Sequence, residues 1–188
     1  VLPEAIAQRY GDFRSMVDDT PELRANFKPW NRNFAKALGA CAEWIKYLGR
    51  REVRDLWELV PSADCIATCT VAAVPKRDSE MLRKILMVCQ LNYAAYTVED
   101  FVNHDPGHGM LGAVTLTQLA CVLDSLKVAT ADQSNAFTSV EVPESWWRWQ
   151  AGPRVRAREL PPEWVGGRWP ASTWLRPCYR RLAMGSTH

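Results

Sequence analysis

The sequence predicts an α+β fold: a helical N-terminal region, then a β-hairpin, then the opening strand and helix of a further mixed unit. Three observations carry this expectation. Apolar residues recur at helical spacing near the N-terminus, β-branched runs flank a charged turn in the middle, and short strand-like runs broken by Gly and Pro fill the C-terminal part. At 188 residues the chain can build one sizeable core, or one core with a small appendage.

Residues 3–17 read as helical, with Pro3 near the first turn, and Thr20-Pro21-Glu22 is a second helix start in which a capping residue precedes proline. The clearest helix covers 32–48. Phe34, Leu38, Cys41, Ile45 and Leu48 recur at steps of four, three, four and three and so form one apolar stripe, which Gly49 ends. Val53, Leu56, Trp57 and Val60 mark a shorter helix stopping at Pro61. The texture then changes. Residues 65–74 and 83–89 are strand-like, and the polar run 75–82 between them is a turn, so the three make a hairpin with a charged tip. Residues 103–113 read as a Gly-rich loop; Leu116, Leu119, Ala120 and Leu123 as a helix; 126–131 as a buried strand with Asp132 at its end. Beyond Pro143 come short strands and turns. The chain therefore divides into a helical region (1–64), a hairpin region (65–125) and a third region (126–188).

No run of eighteen apolar residues and no signal segment is present, so the reading is an intracellular protein of nucleus or cytoplasm, not secreted and not membrane-bound. Starting at Val1 and ending at His188 without a tail, it looks like a piece of a longer protein. The six cysteines (Cys41, Cys65, Cys69, Cys89, Cys121 and Cys178) sit mostly among apolar neighbours, as buried thiols do. Cys65 and Cys69 with His104 and His108 could supply zinc ligands, but core thiols and a polar loop account for them better. The net charge of +2 conceals an asymmetry: from Trp146 onward there are eight arginines, two acids and six of the nine tryptophans. Such a stretch suits a surface that holds phosphates and stacks bases. Equally, it suits a strand pair whose tryptophans pack inward.

Asp132 follows the apolar run Val128-Ala129-Thr130-Ala131. A carboxylate at a strand end can hold a divalent cation in a fixed place. Taken alone, a helix cap explains a single Asp better. The wider segment Asp132-x-Ser134-x-Ala136-Phe137-x-x-Val140-x-Val142-Pro143, however, resembles the first catalytic palm motif of reverse transcriptases. The resemblance implies that Asp132 binds the catalytic magnesium ions (Mg2+) and that Gln133 and Ala136 belong to the nucleotide site. Phe137 takes the place of the aromatic residue that lies under the incoming sugar, where a flat ring leaves no room for a 2′-hydroxyl.

Two further segments follow the same family. Lys76-Arg77-Asp78-Ser79-x-x-x-Arg83-Lys84-Ile85-Leu86, then Leu91-Asn92, looks like the fingertip hairpin, in which Lys76 and Arg83, seven positions apart, grip the triphosphate. Met87 and Cys89 stand where retroviral members carry a charged pair. Tyr179-Arg180-Arg181-Leu182-Ala183-Met184-Gly185 resembles the start of the next palm motif, with Ala183 in place of the usual proline and with Met184 and Gly185 beside the nascent base pair. The resemblance spans residues 70–188 and leaves 1–69 uncovered. It implies a fingers hairpin and the opening βα part of a palm. The implied partners are an RNA or DNA template–primer and a deoxynucleoside triphosphate, and the implied reaction is two-metal deoxynucleotidyl transfer. The family's second metal-binding hairpin would lie past His188, so this chain alone is expected not to polymerise. A non-catalytic nucleic-acid-binding relic of a retroelement is the alternative.

Overall fold

The computed structural model describes residues 12–27, 41–75, 82–95 and 136–183, with Glu4, Gln8 and Glu80 as isolated positions. They form a mixed α and β structure in which every strand pairing of the two sheets is antiparallel. Among the described residues no helix is long and apolar enough to cross a membrane.

Helix starts and stripes fall where the residues require them. Residues 21–27 are helical, and Thr20 Oγ1 accepts the Leu23 N–H at 3.3 Å, the expected cap. Helix Cys41–Leu48 buries Trp44 and Leu48 and packs Ile45 and Tyr47 against the same core. Gly49 follows it, donating to Ile45 O at 2.9 Å. Residues 32–40 of that expected helix lie outside the described residues. Of the expected 3–17 helix, Glu4 and Gln8 are helical and Phe13–Met16 is a 3-10 turn.

The helix expected over Val53 to Val60 is corrected. Only Arg51–Arg54 is helical; Trp57–Pro61 is strand β1. The spacing of Val53, Leu56, Trp57 and Val60 fits a helix, but Trp57 and Leu59 are buried while Glu58 and Val60 are less so, a period of two. Pairing with a distant strand decides between the two periods, and no local pattern contains that partner.

That partner is β5 (Trp174–Tyr179), which lies centrally in the order β1-β5-β4, with β4 being Val155–Arg156. Trp57 stands opposite Tyr179, and Leu59 opposite Pro177. A proline inside a central strand removes a ladder donor. Here the missing N–H falls on the side of Gly152, whose own N–H donates to Pro177 O at 2.7 Å. Gly152 O, left without a proline donor, instead accepts Nη1 of Arg176 at 2.9 Å.

Residues 150–152 thus act as a short bridging segment. Ala151 bridges Cys178 on one side and Thr68 on the other, and Cys69 donates its N–H to Ala151 O at 2.8 Å. Directly after Cys69 begins β2 (Thr70–Pro75), antiparallel to β3 (Leu82–Met87) in the expected hairpin. The expected strands over 65–74 and 83–89 are shifted: a 3-10 turn, Ser62–Asp64, precedes β2, and helix Cys89–Ala94 follows β3.

An aromatic cluster fills the junction of these parts. Trp44 meets Trp57 edge-on at 5.4 Å between centroids, Trp57 meets Tyr179 at 4.9 Å, and the Trp44 indole donates to Pro153 O at 3.1 Å. Gly152 lies beneath these rings. A Cβ there would stand 3.0 Å from Trp44 Cζ2 and 3.1 Å from Pro177 O. Gly152→Ala is therefore expected to destabilise the fold by about 1–3 kcal/mol through overpacking, read as a lowered urea midpoint. An unchanged midpoint would mean that the ring cluster has slack the contacts do not show.

Candidate functional site

Two segments far apart in sequence lie side by side. Residues 140–142 and 180–182 pair as a short antiparallel ladder, with Val142 N–H donating to Arg180 O at 3.0 Å and Leu182 N–H to Val140 O at 2.9 Å. Glu141 and Arg181 form the bridge between them, and the Glu141 carboxylate meets Arg181 at 2.8 Å and Arg180 at 3.7 Å. Helix Ala136–Ser139 opens the first segment. From it the Thr138 hydroxyl hydrogen-bonds Tyr179, whose phenol is nevertheless pushed up, chiefly by burial.

Gln150 holds the second segment from below. Its side chain is fully buried, and its Nε2 donates to Tyr179 O at 3.3 Å and Arg181 O at 3.2 Å. Its backbone carbonyl accepts from Tyr179 N at 3.0 Å and from the Cys69 thiol at 3.4 Å. One residue thus pairs Tyr179 N–H, Tyr179 O and Arg181 O, although its own Oε1 is buried without a hydrogen-bond partner among the described residues. Sequence reading passed over Gln150, Thr138 and Glu141. The single available signal was Glu141 alternating with Val140 and Val142, a polar residue within a strand-like run.

The residues singled out in the sequence fall as follows. Phe137 lies in helix Ala136–Ser139 and is 43% exposed, and Val140 after it is 49% exposed, so this edge of the ladder presents apolar surface to solvent. Ala183, at the end of the second segment, is buried. Ala136 begins the helix, and Arg83 stands opposite Val74 in the hairpin register, one pair from the last, Pro75 with Leu82. Lys76, Asp132, Gln133, Met184 and Gly185 lie outside the described residues, as do the loop over 103–113, the helix expected near 116–123 and the strand expected over 126–131. The fold thus brings the Phe137 segment to the Tyr179 segment.

In the arginine and tryptophan stretch the tryptophans are largely internal, while Arg148, Arg154, Arg158 and Arg168 are exposed. Trp146 and Trp149 are buried, while Trp147, Trp164 and Trp169 are half-buried against the core. Trp174 is exposed, but Arg154 and Arg156 stack on its ring at 4.6 and 4.3 Å. Arg168 over Trp169 and Arg180 over Trp147 repeat the arrangement. The guanidiniums are partly engaged by rings of the same chain.

Cys65 and Cys69 diverge: the first faces Cys178, and the second donates to Gln150 O. His104 and His108 lie outside the described residues, among which no group of three candidate metal ligands occurs. An open groove of about 300 Å³ runs along β1, lined by residues 58–61, Asp64, Glu144, Trp147 and Arg148; it holds none of the residues expected at a nucleotide site, although Trp147 and Arg148 belong to the arginine and tryptophan stretch. Comparison with protein-family models, curated proteins and solved structures finds no match for the chain.

Phe137 is half open to solvent and not part of the core. Phe137→Val is therefore expected to move the folding free energy by no more than about 0.5 kcal/mol, the range for surface changes, where a core phenylalanine would lose several times that. Thermal or urea unfolding decides. A loss of roughly 3 kcal/mol would show that the ring packs as core and would deny it a ligand-facing role.

Proposed function

We propose that this chain carries the fingers hairpin and the opening part of the palm of a reverse-transcriptase-like polymerase, an enzyme of template-directed deoxynucleotidyl transfer. The observation that carries the reading is the ladder between residues 140–142 and 180–182. These segments were assigned from sequence to two successive palm elements, and a shared site requires them to be neighbours. The paired strands of the hairpin and the exposure of Phe137 add support. The nucleic-acid-binding relic has less behind it, because most of the tryptophans it would use for stacking are packed inside or faced by arginines.

In this reading each residue has one task. Asp132 holds magnesium, which when bound neutralises charge on the phosphate oxygens in concert with carboxylates from the downstream palm. Lys76 and Arg83 bind the triphosphate by charge. Phe137 lies under the incoming sugar and excludes a 2′-hydroxyl by shape. Gln133 and Ala136, with Met184 and Gly185, border the base pair. Gln150 and the Glu141–Arg181 pair position the backbone of both segments and touch no substrate. The partners are an RNA or DNA template–primer and a deoxynucleoside triphosphate.

Primer extension by a chain lengthened through the downstream palm tests the proposal. Asp132→Asn is expected to abolish synthesis, because an amide does not replace a carboxylate in holding magnesium. Phe137→Val is expected to keep synthesis while admitting ribonucleotides more readily. Full activity of the Asp132→Asn enzyme, or unchanged sugar selectivity in a well-folded Phe137→Val enzyme, would count against the assignment.

A further inference from the structure

Two cysteines 113 positions apart in sequence meet against the central strand of the main sheet. Cys65 follows the 3-10 turn Ser62–Asp64 that leaves β1, and Cys178 lies in β5, where its register partner is Glu58. Their sulfurs stand 3.7 Å apart, which is van der Waals contact. A disulfide has its sulfurs about 2 Å apart, so closure brings the two sulfurs nearer by roughly 2 Å. The two thiols differ in access: Cys65 is half-buried, and Cys178 is fully buried. Arg176, two residues before Cys178, is fixed beside them by bonds to Ser62 Oγ at 3.2 Å and Gly152 O at 2.9 Å.

We propose that Cys65 and Cys178 form an oxidation site whose substrate is a hydroperoxide and whose product is a disulfide joining the turn after β1 to β5. Cys65 reacts first, since it is the accessible partner. Its thiolate attacks one peroxide oxygen; an S–O bond forms, the O–O bond breaks, and the departing hydroxide takes up a proton as water. Cys178 then attacks the Cys65 sulfenic acid. The S–S bond forms, the S–O bond breaks, and the leaving hydroxide takes the Cys178 proton as a second water. Two thiols lose two electrons, and one hydrogen peroxide becomes two waters.

The surroundings favour this division of labour. The Cys178 thiol hydrogen-bonded to Cys65 holds the Cys65 thiol below its usual range, and the positive charge of Arg176 acts in the same sense against burial and Asp64. Cys178 is pushed up by its bond to Cys65 and by burial. Among the described cysteines, Cys69 is buried and its thiol donates to Gln150 O. Cys89 is exposed, on another helix. The site stands on this geometry and not on the polymerase reading. Its consequence bears on that reading, because β5 runs directly into the Tyr179–Ala183 segment, which the new bond would fasten.

The test uses the 188-residue chain treated with a small excess of hydrogen peroxide, then alkylated in denaturant and mapped by mass spectrometry. The expected result is a monomer lighter by two hydrogens, with one linked peptide pair containing Cys65 and Cys178 that dithiothreitol releases. In Cys178→Ser the link is lost and Cys65 is trapped by dimedone as the sulfenic acid. A Cys65 that stays as alkylatable as before treatment, that links to Cys69 instead, or that reaches the sulfinic acid without linking in the unaltered chain would overturn the proposal. Because the primary readout needs no substitution, a variant that fails to fold leaves it intact.

Discussion

The backbone of Gln150, Ala151 and Gly152 is hydrogen-bonded on both of its edges, and that double attachment is what makes one structure out of two sheets. On one edge it meets β5, through Tyr179, Cys178 and Pro177; on the other it meets residues 67–69, from which the hairpin departs. A single amide hydrogen bond contributes only about 0.5–1.5 kcal/mol net, but leaving such groups buried and unpaired costs about 1–3 kcal/mol each. The sequence meets that demand with unusual economy. A glycine lets the rings of Trp44 and Trp57 descend to the backbone, a buried glutamine amide reaches two carbonyls, and an arginine replaces the donor that Pro177 lacks.

Local features of this fold could be read in the sequence; its long-range features could not. The Cys41–Leu48 stripe, the Thr20 cap and the hairpin each arise from a pattern within about twenty residues, and each was anticipated. Strand β1 was mistaken for a helix because Val53, Leu56, Trp57 and Val60 satisfy helical spacing, while the partner that makes them a strand lies beyond Pro170. The bridging role of residues 150–152 left no local trace at all. Composition left the arginine and tryptophan stretch open between a surface that holds phosphates and stacks bases and a solvated strand pair whose tryptophans pack inward. Packing answers mainly for the second, since aromatic rings of that size seek burial and arginine stacks readily on what remains exposed.

The candidate site divides in the same way. The family resemblance, and not residue types or spacing alone, singled out Asp132, Phe137, Lys76 and Arg83 as the side chains expected to carry chemistry. It said nothing of what holds those segments together. The fold contributes the Thr138 to Tyr179 hydrogen bond, the Glu141 to Arg181 pair and the Gln150 amide, none of which belongs to a motif. Phe137 illustrates why exposure matters to a functional reading. Phe137 and Val140, 43% and 49% exposed, place two apolar side chains at the same open edge of the ladder. The same strand that delivers Tyr179 to this surface also carries Cys178, so a thiol chemistry and a nucleotide site would share one rigid element.

Photolabelling tests the central claim, that these segments form one nucleotide surface, most directly. A photoreactive deoxynucleoside triphosphate would be bound with template–primer and magnesium to the chain lengthened through its downstream palm, and the labelled peptides sequenced. The account predicts template-dependent label on the peptide containing Phe137, on the peptide containing residues 179–185 and on the hairpin tip, displaced together by unlabelled nucleotide. Label confined to the groove between Glu58 and Arg148, or label indifferent to the template, would contradict it.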